Sequence, residues 1–72
     1  QFDLKDKSSF DELSYRELQI VLMTLRGLSP KEIAKRLFLS IKTISAYRSE
    51  IFRKLEVQND VEMILMAKQE AL

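Results

Sequence analysis

Between Ser29 and Leu55 the chain reads SPKEIAKRLFLSIKTISAYRSEIFRKL, and the chemistry available there is that of hydroxyls and cations. Ser45 and Ser49 carry small hydrogen-bonding groups, Ala46 a bare methyl, and Lys42, Thr43, Arg48, Arg53 and Lys54 surround them. Side chains this short let a helix approach base edges in the DNA major groove. Hydroxyls can pair with base donors and acceptors there, and a methyl can meet the thymine methyl. Cations around them suit phosphate oxygens. Lys42 and Thr43 fall in the first turn of a helix capped by Ser40, where main-chain N–H groups and the helix dipole favour anions. Tyr47 is placed to give its ring to the core and its hydroxyl to a phosphate. Lys35 and Arg36, one helix earlier, are placed over the adjacent phosphates.

Other chemistry is poorly provided for. The chain has no histidine and no cysteine, so the commonest general base, thiolate ligands and disulfides are all missing. There is no glycine-rich phosphate loop, and the carboxylates read as helix caps, so neither catalysis, a metal nor a cofactor is expected. No apolar run approaches the ~20 residues of a membrane span, and the N-terminus lacks the shape of a signal peptide. A reducing cytoplasm is the expected setting. Because the chain begins at Gln1, it is expected to be part of something longer.

The net charge of +1 conceals a strong segregation. Residues 29–55 carry Lys31, Lys35, Arg36, Lys42, Arg48, Arg53 and Lys54 against Glu32 and Glu50, a net +5, while the stretches before and after are −1 and −3. A basic middle between acidic ends is the electrostatic footprint of a nucleic-acid binder.

Helices must position these groups. Ser14-x-x-Glu17 and Ser29-Pro30-x-Glu32 are capping boxes, Ser40 caps a third helix, and Asn59-Asp60-Val61-Glu62 caps a fourth. Gly27 suits the left-handed end of the first helix. The pattern predicts an all-α domain of four helices over about 15–26, 30–38, 41–55 and 60–71, with residues 1–12 a linker or flexible arm and 13–72 the domain. Leu18, Val21, Leu22 and Leu25 form the expected inner stripe of the first helix, with Ile20 and Met23 broadening it. Ile33, Ala34 and Leu37 serve the second, and Ile44, Tyr47, Ile51 and Leu55 the third. A turn at Phe38-Leu39-Ser40 makes the middle pair a helix-turn-helix, the unit that sets its second helix in the major groove. The last helix is apolar on two sides: Val57, Val61, Ile64 and Leu65 on one, Met63, Met66 and Ala67 on the other. Such a helix is buried against the core and against a partner, most simply a second copy across a two-fold axis; methionines that merely fill core gaps are the plainer reading.

Leu13-Ser14-x-Arg16-Glu17, Gly27-Leu28-Ser29-x-Lys31-Glu32-Ile33-Ala34, Leu39-Ser40-x-Lys42-Thr43-Ile44 and Arg48-x-x-Ile51-x-x-Lys54-Leu55 stand in the order of a known pattern. Together they resemble the LuxR/GerE-type (NarL/FixJ-type) helix-turn-helix DNA-binding domain over about Leu13–Leu72. Tyr47-Arg48 and the Asn59–Glu62 segment look most like the GacA/UvrY- or BvgA-like two-component response regulators. The resemblance implies a third helix in the major groove, a fourth that mediates homodimerisation, and an inverted-repeat site. It carries base reading onto Ser45, Ala46 and Ser49, and phosphate contact onto Lys42, Thr43, Tyr47, Arg48 and Lys54. The seam would draw on Met63, Met66, Ala67 and Glu70. Many members have lysine in place of Ser45 and histidine in place of Tyr47, so the DNA sequence read is expected to differ; many have glycine in place of Glu56, which bears on where the third helix ends.

The implied function is the DNA-binding output domain of a bacterial transcription regulator, with double-stranded DNA, a second copy and RNA polymerase as partners and a receiver domain lying outside this chain. A quorum-sensing regulator or a free-standing small regulator would use the same domain. A helical protein–protein module of adaptor or anti-sigma type is the alternative from a different class.

Overall fold

Each helix of this protein begins at a side chain that replaces a missing main-chain partner. A computed structural model describes residues 9–70. They form a short 3-10 turn, Ser9–Glu12, then α1 (Tyr15–Leu25), α2 (Pro30–Leu37), α3 (Ile41–Leu55) and α4 (Asp60–Gln69), with no strand among the described residues. Ser14 Oγ accepts from the Glu17 N–H at 3.2 Å while Glu17 Oε1 accepts from the Ser14 N–H at 2.8 Å. Ser29 and Glu32 repeat the exchange at the same distances, with Pro30 opening α2. Ser40 Oγ accepts from the Thr43 N–H, and Asn59 Oδ1 from the Glu62 N–H. All four starts fall where the capping pattern places them.

The helix ends share a second device. Leu28 N–H reaches Met23 O, Leu39 N–H reaches Ala34 O, and Val57 N–H reaches Phe52 O. Each bond closes over one residue with positive φ: Gly27 (92°), Phe38 (59°) and Glu56 (58°). Only the first of these is a glycine, the residue that bears this conformation without strain. Exposed Glu56 therefore ends α3 at a conformational cost. Glu56→Gly is expected to stabilise the domain by roughly 0.5–1 kcal/mol. Its melting temperature should rise by a few degrees; an unchanged or lower value would mean that Glu56 makes a compensating interaction.

The core comprises Phe10, Ile20, Val21, Ile33, Ala34, Ile44, Ile51, Leu55, Met63 and Ala67, with Leu37 and Tyr47 packed at its edge. Three expectations are corrected by it. The flexible arm does not extend to residue 12: Phe10 is 3% exposed and anchors the 3-10 turn, and residues 1–8 lie outside the described residues. On α1 the inner stripe is Glu17, Ile20 and Val21, whereas Leu22 is exposed. On α4 the inner side is Met63 and Ala67, whereas Val61 and Leu65 are 65% and 60% exposed. Both helices are apolar on more than one side, so periodicity alone does not choose between them; packing does. Met63 and Ala67 are the side chains that reach the core, and a flexible thioether suits the irregular space there. The last-helix boundary expected at residue 71 also lies outside the described residues.

Candidate nucleic-acid interface

Burying Ile44, Ile51 and Leu55 fixes the rotation of α3, and helical geometry then dictates what faces outward. Ser45, Ala46 and Ser49 are all exposed, with Lys42 exposed one turn earlier on the same side. No helix of the described chain covers this surface, so a polar, small-residue strip lies open along the middle of α3. Lys35 and Arg36 are exposed on α2, before the turn that joins it to α3.

The start of α3 is organised by Ser40, whose hydroxyl donates to Thr43 Oγ1 at 2.9 Å while its oxygen accepts the Thr43 amide at 3.0 Å. Accepting that bond leaves the Thr43 hydroxyl proton available for an oxygen outside the protein. Tyr47 is half-buried against the core, and with Glu17, Thr43, Ala46 and Glu50 it lines an open groove of about 320 Å³ on the α1 flank.

The flanking cations on α3 make ion pairs within the chain. Lys54 Nζ donates to Glu17 Oε1 at 2.8 Å, tying α3 to the capping box of α1. Arg48 Nη2 donates to Asp60 Oδ2 at 2.5 Å, tying α3 to the first residue of α4. The Arg48 guanidinium also lies 5.5 Å from the centroid of the Phe52 ring. Arg53 is engaged by Glu50 through both carboxylate oxygens, which holds the Glu50 carboxyl below its ordinary range. Burial alone would raise the Glu17 carboxyl, but the hydrogen bonds from Lys54 and Ser14, with the Lys54 charge, bring it below its ordinary value. Among the described residues Lys42 beside the open strip and Lys35 and Arg36 on α2 make no side-chain ion pair, while Arg48 and Lys54 are paired within the molecule. From the sequence alone Glu17 and Asp60 are cap residues; their partners on α3 lie 37 and 12 positions away.

Of the seam candidates, Met63 and Ala67 face the domain's own core, and Met66 packs partly against it. Half-buried Glu70 ends α4, its N–H bonded to Met66 O. The apolar residues that α4 presents to solvent are Val61 and Leu65, four apart and therefore on one stripe. Among the described residues no group of three or more acidic, histidine or cysteine side chains could hold a metal, and no helix is long and apolar enough to cross a membrane.

Residues 11–67 match the family model described as bacterial regulatory proteins, luxR family. The chain is 46% identical over 63 residues to the response regulator UvrY of Escherichia coli K12, covering 88% of this chain and 29% of that protein. It is 44% identical over 66 residues to the response regulator GacA of Pseudomonas protegens, covering 92% of this chain and 31% of that protein. Identity to GacA of Pseudomonas aeruginosa is 47% over 60 residues, or 83% and 28% of the two chains. The chain therefore spans under a third of the length of these curated relatives.

Proposed function

The chain belongs to the luxR family of bacterial regulatory proteins, and from that premise we propose that it is the sequence-reading DNA-binding domain of a two-component response regulator. The open strip of Ser45, Ala46 and Ser49 on α3 is the observation that carries this reading. These side chains read base edges; Lys42, Thr43 and the Tyr47 hydroxyl meet phosphates beside them, and Lys35 and Arg36 reach the backbone from α2. A groove-seated helix needs an unobstructed, short-chained face and cations that are not already neutralised, and this arrangement supports both. The remainder of the regulator, including a receiver domain, lies outside this chain. In the cytoplasm such a regulator answers a sensor and works with RNA polymerase; the family is one of regulatory proteins, not enzymes.

Two copies bind an inverted repeat. Two-fold pairing sets two α3 helices about one DNA turn apart, and the Val61–Leu65 stripe, not Met63 and Ala67, supplies the apolar seam.

Titration of a labelled duplex over a range of salt concentrations tests the DNA reading. Binding should weaken steeply as salt rises, and Lys42→Ala should lower the slope of log affinity against log salt by about one while weakening every duplex alike. Salt-insensitive or undetectable binding would instead suit a helical protein–protein module.

A further inference from the structure

The two ion pairs that tie α3 to other helices are built differently. Lys54 meets a carboxylate that is itself buried and held by the Ser14 amide. Arg48 meets Asp60 through one nitrogen and one oxygen, and the other carboxylate oxygen, Oδ1, is buried without a hydrogen-bond partner. The side chains of this second pair retain 20% and 37% exposure, so water and solutes reach it. A guanidinium has five N–H donors in a planar fork, suited to two oxygens at once. Asp60 uses one of them.

Two further features make the pair exchangeable. Arg48 lies between Ser45 and Ser49 along α3, on the rim of the open strip, within a side-chain swing of a duplex seated there. Asp60 opens α4, where the helix amides favour a carboxylate whether or not an arginine is present. Losing Arg48 therefore leaves Asp60 the favourable field of those amides in place of its hydrogen-bond donor.

We propose that Asp60 is an internal competitor of the DNA backbone for Arg48, and so an affinity-setting residue of this domain. In the free protein Arg48 rests on Asp60; on DNA a phosphate, which accepts the guanidinium in the two-pronged mode, takes it over. Part of the free energy of that contact is offset by the broken pair. This rests on the DNA reading above.

The test is a double-mutant cycle on the 72-residue chain, using a fluorescent duplex of arbitrary sequence about two helical turns long at low salt. Asp60→Asn should tighten binding about fivefold when Arg48 is present, the scale of one partly exposed ion pair. With Arg48→Gln the same change should give less than about twofold. Equal gains in both backgrounds would mean only that a negative charge had been removed near DNA, and would overturn the competition. Weaker binding by Asp60→Asn would overturn it too, making the pair a clamp that α3 needs. If the unaltered chain fails to bind at low salt, the DNA reading itself falls, and the competition with it. Circular dichroism melts identify folded variants, and Asp60→Ser replaces Asp60→Asn if the latter unfolds.

Discussion

Met63→Asp is expected to unfold the domain, whereas Leu65→Asp is expected to leave it folded but unable to pair on DNA. The two positions are two residues apart on α4 yet face opposite ways: Met63 is 3% exposed and Leu65 60%. An aspartate at Met63 would place an unpaired charge against Ile and Leu side chains, at a cost of roughly 4–5 kcal/mol. That is about the whole stability a core of this size supplies. At Leu65 the same charge stays in water and should change stability by less than about 0.5 kcal/mol. Across a two-fold seam, however, each copy brings its aspartate to the other, and like charges facing one another cost several kcal/mol. Affinity for an inverted repeat should fall by roughly 100-fold, while a single half-site is bound almost as before. Thermal melts and sedimentation with each duplex distinguish the variants. A folded Met63→Asp protein would mean that α4 turns its other face to the core; unchanged pairing by Leu65→Asp would remove the Val61–Leu65 stripe from the seam.

That contrast also marks where the residues alone speak clearly and where they do not. Helix starts depend on partners three positions away, so Ser14, Ser29, Ser40 and Asn59 announce α1 to α4 directly, and the structure bears out each start. The outward face of α3 is also legible, because Ile44, Ile51 and Leu55 leave only one side for hydroxyls. The inner face of α4 is not legible: Val61 and Leu65 have the same spacing as Met63 and Ala67, and the choice is made by packing against residues distant in sequence. Phe10 is a comparable case, since one aromatic in a polar stretch has no periodicity to reveal its burial. The partners of Arg48 and Lys54 were hidden for a related reason. A capping carboxylate with a local task gives no sign that it also serves a residue on another helix.

Glu17 makes that second task measurable. Its Oε1 accepts from both the Ser14 amide and Lys54 Nζ, each at 2.8 Å, and the residue is 4% exposed. Glu17→Ala removes the cap acceptor and leaves the Lys54 ammonium facing the edge of the core, so it should cost about 2–4 kcal/mol. Glu17→Gln keeps an acceptor for Ser14 and should cost less. Adding Lys54→Met to Glu17→Gln should recover part of the loss, because it removes the stranded charge and keeps the apolar stem. The pH dependence has a definite sign. The folded carboxyl titrates below its ordinary value of 4.5, so its contribution is complete above that value and is lost as pH falls through the lower, folded one. Urea midpoints measured from neutral pH downward should therefore fall more steeply for the unaltered chain than for Glu17→Gln, and parallel curves would show that Glu17 is not held in its charged form. The same pair bears on DNA. A Lys54 committed to Glu17 contributes little counterion release, so Lys54→Met should reduce stability and leave the salt slope nearly unchanged, the reverse of Lys42→Ala. A slope lowered by about one with stability intact would return Lys54 to the phosphate contacts.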